Sequence, residues 1–134
     1  MKKSILRILL IINLILSVSA LIRAQNNSQE TALIYNNQGV EQTNTGQYEA
    51  AVESFNRAIS LRPDYATAYF HLGLALYRLK QFEKSGEALH KVIMLNPGHA
   101  LAHDQLGAVY VELNLLEQAL ASFKRSSPVL FPRK

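Results

Sequence analysis

Three features of the sequence predict an all-α fold, a solenoid of three stacked helix-turn-helix hairpins. Glycines recur at a fixed interval of 34 residues, at Gly39, Gly73 and Gly107. Other columns move in phase with them: Tyr48, Phe82 and Leu116; Glu49, Glu83 and Glu117; Phe55, Leu89 and Phe123; and Pro63 with Pro97. Between the columns, stretches such as 66–79 and 82–95 place apolar residues at nearly every helical turn. A fixed period of this length marks stacked units, each too small to bury its own apolar flank.

The first 24 residues are of a different kind. Lys2, Lys3 and Arg7 precede an apolar run from Ile8 to Leu16, and Val18-Ser19-Ala20 follows. A charged start, an apolar middle and a small-residue end are the order of a secretory signal, with cleavage after Ala20 or after Ala24. An uncleaved N-terminal anchor and a buried helix are the alternatives. From Ile8 to Ile22 the run covers 15 residues, about 22 Å as helix; that falls short of a ~30 Å hydrocarbon core, and Asn13 interrupts it. A cleaved leader is therefore expected. The chain would then be exported, periplasmic or extracellular, and tethered to a membrane only if residues 1–24 stay attached.

The leader also distorts the charge balance. Four of the 14 basic residues (Lys2, Lys3, Arg7 and Arg23) lie before Gln25, with no acidic residue among them. The remainder carries 10 basic and 10 acidic side chains, so its formal charge is zero. This gives no support for a nucleic-acid or acidic-membrane partner. The chain has 134 residues, 49% of them hydrophobic, enough for one packed domain. It contains no cysteine, which rules out disulfides, thiolate metal ligands and thiol nucleophiles.

Residues 25–31 read as a polar linker, and the units then run 32–65, 66–99 and 100–133, ending in a short tail. Within a unit, a break near Lys80-Gln81 separates the two helices of the hairpin. The Glu83 column falls in the first turn of the second helix, where a carboxylate meets the positive end of the dipole. Pro63 and Pro97 stop the second helices, because the residue before proline avoids helical geometry. Asp64 is a candidate cap for the helix that follows. A mid-helix glycine costs about 1 kcal/mol relative to alanine. Three at equal spacing imply a compensating contact, a close approach of one helix backbone to its neighbour.

These columns resemble the tetratricopeptide repeat family over residues 31–131. The family's aromatic four residues before the glycine matches Tyr35 and Tyr69, while His103 departs; its leucine before the glycine matches Leu72 and Leu106, while Gln38 departs. Its tyrosine three residues after the glycine survives as Tyr110, and its small residue early in the second helix is Ala51, Ser85 and Ala119. In the third unit Phe131 stands where the terminal proline belongs. The resemblance implies a right-handed superhelical solenoid whose first helices line a concave groove for a peptide or a partner protein.

Groove-facing positions on this sequence form three stripes: Leu33, Asn36, Asn37, Val40, Thr43 and Asn44; Thr67, Phe70, His71, Leu74, Tyr77 and Arg78; Leu101, Asp104, Gln105, Ala108, Val111 and Glu112. Asn36, Asn37 and Asn44 offer amides to an extended main chain, and Phe70 and Tyr77 offer apolar contact. Arg78 suits an acidic group, and His71, Asp104, Gln105 and Glu112 complete the candidate set. Relatives that clamp a C-terminal carboxylate use lysine, arginine and asparagine here. This chain has Asn36, Val40, His71, Leu101 and Gln105 at those places, so that ligand class is not expected.

Nothing in the sequence suggests catalysis. His99 and His103 have metal-pair spacing, but no third ligand accompanies them, and neither a nucleophile motif nor a phosphate-binding loop is present. The expectation is a non-catalytic interaction module without metal or cofactor. Its partner is a protein or peptide rather than nucleic acid. The alternative is an assembly subunit that self-associates, or docks end to end, through its uncapped third unit.

Overall fold

The computed structural model of the chain describes residues 1–127. Six helices are present among the described residues: α1 Lys2–Asn44, α2 Tyr48–Leu61, α3 Ala66–Arg78, α4 Phe82–Leu95, α5 Ala100–Glu112 and α6 Leu116–Ser126. Each helix packs against the next in the chain, and α1, α3 and α5 also touch in succession. The architecture is a solenoid of three hairpins.

The linker differs from expectation. Helix α1 runs unbroken for 43 residues, through the apolar run and the supposed linker into the first hairpin. No proline or glycine stands between Met1 and Gly39 to interrupt it. Ser28 already engages the first unit, its hydroxyl donating to the Leu61 carbonyl at 3.2 Å. Residues 25–31, expected to form a polar linker, are thus helical. The apolar leader side chains are exposed along their whole length, unlike those of a core helix. An 18-residue window of mean hydropathy 2.6 makes the segment long and apolar enough to cross a membrane by length and composition.

The turns follow one recipe. Gly46, Lys80 and Asn114 share a place in the period, and all three adopt positive φ, at 78°, 59° and 57°. The residue after each returns its N–H to a carbonyl five residues back, as Gln81 does to Leu76 at 2.9 Å. Only the first turn has the residue that adopts this geometry without steric cost. Lys80→Gly is expected to raise stability by about 0.5–1 kcal/mol, strain relief exceeding the entropy that glycine adds to the unfolded chain. A rise in the urea midpoint checks this, and Asn114→Gly should gain less because asparagine tolerates the conformation.

Prolines end the second helices as expected. Arg62 and Asn96, preceding Pro63 and Pro97, have φ near −141° and −142°. Ser127 precedes Pro128 with φ −127°, and α6 stops at 11 residues where α2 and α4 have 14. Pro128 stands three places ahead of the 34-residue register, which accounts for the shortening. Asp64 does not cap α3: Tyr65 occupies the cap position, and Asp64 instead pairs with the Arg62 Nε at 3.3 Å.

The three glycines are sockets for side chains. A β-carbon on Gly39 would lie 2.6 Å from the Phe55 ring, on Gly107 2.5 Å from the Phe123 ring, and on Gly73 2.8 Å from Leu89 Cγ. The backbone approach expected from sequence occurs only at Gly73, whose carbonyl accepts a buried 2.7 Å bond from the Ser85 hydroxyl. At the matching places Ala51 and Ala119 are simply buried. Phe55, Leu72, Leu76 and Ala88 form the core between the first two units, and Leu89, Val92, Leu106 and Val109 form that between the second and third.

Candidate functional site

The first helices bring the candidate residues onto adjacent stripes. Asn37 and Asn44 on α1, Arg78 on α3, and Asp104 and Glu112 on α5 are exposed, while Phe70, His71, Tyr77 and Gln105 are half-buried. One bond ties two stripes together: the Tyr77 hydroxyl donates to Glu112 Oε1 at 3.1 Å. Burial and the Glu112 carboxylate hold the Tyr77 phenol above its ordinary pKa, opposed by the Arg78 charge.

A file of rings crosses the same face. His71 stacks on Phe55 at 5.7 Å and meets the edge of Phe70 at 5.8 Å; Phe70 in turn lies 5.1 Å from His99. Burial lowers the His71 pKa, because charging the imidazole among these rings forfeits hydration. The unfolded chain then binds the proton more readily than the folded one. Stability should be flat above about pH 7 and fall as pH drops through the unfolded histidine value near 6.5. His71→Phe should flatten that slope, which urea midpoints at pH 7.5, 6.5 and 5.5 would reveal.

Asn36 departs from expectation most clearly. It is 4% exposed rather than open to the groove, and its Oδ1 has no hydrogen-bond partner. Its counterparts in the period, Phe70 and Asp104, are half-buried and exposed. Helix α3 packs against α1 and α5 against α3, so the cover over this position differs from one unit to the next.

The histidine pair has structural duties. His99 Nδ1 accepts the Ala102 N–H at 3.1 Å and so caps α5, and His103 Nε2 donates to the Pro97 carbonyl at 2.9 Å. No group of three or more metal-ligating side chains occurs among the described residues.

Two hollows escaped sequence reasoning, and both involve the second helices. One, of about 410 Å³, lies between α2 and α4 and is lined by Val52, Asn56, Tyr69, Leu72, Lys84 and Lys91, among others. A smaller one, of about 200 Å³, is bounded by His90, Ile93, His103, Tyr110, Ser122 and Arg125 with their neighbours. In it the Tyr110 hydroxyl meets His90 Nε2 at 3.2 Å. These spaces arise where hairpins splay, which a periodic pattern does not record. The candidate stripes instead form an open face.

Comparison with known proteins agrees with this geometry. A family model described as TPR repeat matches residues 43–80, and one described as tetratricopeptide repeat matches residues 66–99. Among solved structures, the chain is similar to the second TPR of Spaghetti (RPAP3) bound to the HSP90 peptide SRMEEVD. The TM-score is 0.75 and the identity 23%, over 78% of this chain and 95% of that one. It is also similar to the crystal structure of MamA, with TM-score 0.71 and 30% identity over 74% of this chain and 57% of that one. The Arabidopsis OM64 TPR domain gives TM-score 0.74 at 22% identity, covering 80% of this chain and 88% of that one. No curated protein matches the chain.

Proposed function

The chain is built of tetratricopeptide repeats, and from that premise we propose that it is the non-catalytic interaction module of an exported protein, holding an extended peptide or partner segment against α1, α3 and α5. One observation carries this reading: exposed Asn37, Asn44 and Arg78 stand on the first helices beside half-buried Phe70 and Tyr77, polar and aromatic groups together on one face. Asn37 and Asn44 suit the main-chain N–H and C=O groups of an extended segment. Phe70 and Tyr77 then offer apolar contact, and Arg78 meets an acidic group. The stripes lack the cationic pair that would grip a terminal carboxylate, so the partner is read along its length. No reaction is assigned, since His99 and His103 are committed to main-chain bonds. The leader's charged, apolar, small-residue order supports export.

A second reading, assembly through the last hairpin, draws on Leu116 and Leu120. They sit one turn apart on α6, at 62% and 49% exposure. Leu130 and Phe131, the residues the sequence offers for that contact, lie outside the described residues. The two readings separate in one experiment, capture from envelope extract by the full chain. Asn37→Ala or Tyr77→Ala should weaken capture about tenfold, roughly 1.4 kcal/mol, while Leu120→Gln leaves it intact. The reverse pattern, with concentration-dependent mass by light scattering, would favour assembly through the last hairpin.

A further inference from the structure

The solenoid has two unlike edges. The Ser28–Leu61 bond sets the level at which α1 joins the first hairpin. Because successive helices alternate in direction, the ends of α2, α4 and α6 and the starts of α3 and α5 share that edge with the emerging leader. The turns at Gly46, Lys80 and Asn114 mark the other. Between residues 25 and 127, the leader-side halves of the hairpins carry five basic and three acidic residues, and the far halves three basic and seven acidic. Apolar exposure follows the same division in the interior of the stack. Leu61, Met94 and Leu95 at the leader-side edge are 36%, 73% and 40% exposed. Met94 and Leu95 belong to the middle hairpin, which has a neighbour on either side.

The leader supplies the matching dimension. Its 18-residue apolar window is long enough to span a hydrocarbon core, longer than the 15-residue run counted from Ile8. Residues 23–27 then separate Ile22 from Ser28 by about 8 Å of helix, the depth of one headgroup layer. Lys2 and Lys3 stand beyond the window's opposite end, with Arg7 in its first turn, where basic residues hold a helix on the side from which it was inserted.

We propose that the leader is retained as a membrane span and that the leader-side edge docks on an anionic phospholipid surface. Leu61, Met94 and Leu95 enter the headgroup layer, and Arg62, Lys91 and Arg125 face the lipid phosphates. The unbroken α1 leaves no hinge between membrane and repeats, so the groove stands upright from the surface. This docking is independent of what the groove binds.

The cysteine-free sequence allows single labels. The full chain is reconstituted in phosphatidylglycerol–phosphatidylcholine vesicles with an environment-sensitive fluorophore at Ile15→Cys, Met94→Cys or Lys80→Cys, and nitroxide lipids as quenchers. The Ile15 and Met94 labels should be quenched and the Lys80 label should not. Quenching at Met94 should weaken in phosphatidylcholine alone. Arg62→Gln with Lys91→Gln should weaken it too, each basic side chain removed lowering the docking equilibrium about fivefold. The proposal is overturned if the Ile15 label escapes quenching, or if Met94 behaves like Lys80 while Ile15 is quenched. It is equally overturned if Met94 quenching ignores lipid charge, or if Met94 is shielded only on adding envelope extract, which would assign the edge to a protein.

Discussion

Gly39→Ala is expected to destabilise the chain by about 2–3 kcal/mol, although alanine is the better helix former by about 1 kcal/mol. The added methyl would sit 2.6 Å from the Phe55 ring, which is fully buried and held between the first and second hairpins. Neither the ring nor the α1 backbone has room to retreat. Gly86→Ala makes the opposite prediction from the same physics. Its β-carbon would meet Val109 Cγ1 at 3.5 Å, ordinary contact, so the propensity gain of about 0.5–1 kcal/mol is kept. Phe55→Leu added to Gly39→Ala should recover part of the loss, since Gly73 already houses a leucine in the equivalent socket. Urea unfolding of the three variants decides it. Equal signs for Gly39→Ala and Gly86→Ala would refute the socket.

Asn36→Leu should raise stability and leave capture unchanged. The side chain is buried with no hydrogen-bond partner for its oxygen, and a leucine of similar branching removes that polar penalty. A gain of about 1–2 kcal/mol is expected, with some lost to the larger side chain. The oxygen is sealed by the surrounding residues, so a bound segment does not touch it. A lower urea midpoint for Asn36→Leu, or a loss of capture, would contradict this.

The repeat was legible because its signals are local and recur. The glycine and Phe55 columns are two halves of one contact, and they report each other through the period. Pro63 and Pro97 fixed the ends of α2 and α4. Other features were hidden for physical reasons. Asp64 looked like a cap, but the chain turns so that its carboxylate meets Arg62. Residues 25–31 read as a linker from polarity alone, although nothing in them breaks a helix. The candidate stripe was read as uniformly open, yet stacking buries Asn36 and frees Asp104 at the same register. Burial of that kind depends on which unit comes next, which a single repeat does not encode.

Site-directed photo-crosslinking tests the groove most directly. A photoreactive phenylalanine is placed singly at Asn37 on the first-helix face, at Lys84 beside the α2–α4 hollow, and at Leu120 on the last hairpin. Irradiation in the native envelope should yield a partner adduct from position 37 and none from 84 or 120. Adducts from 120 or 84 with none from 37 would contradict the assignment and move binding to the end of the stack or to the second-helix side.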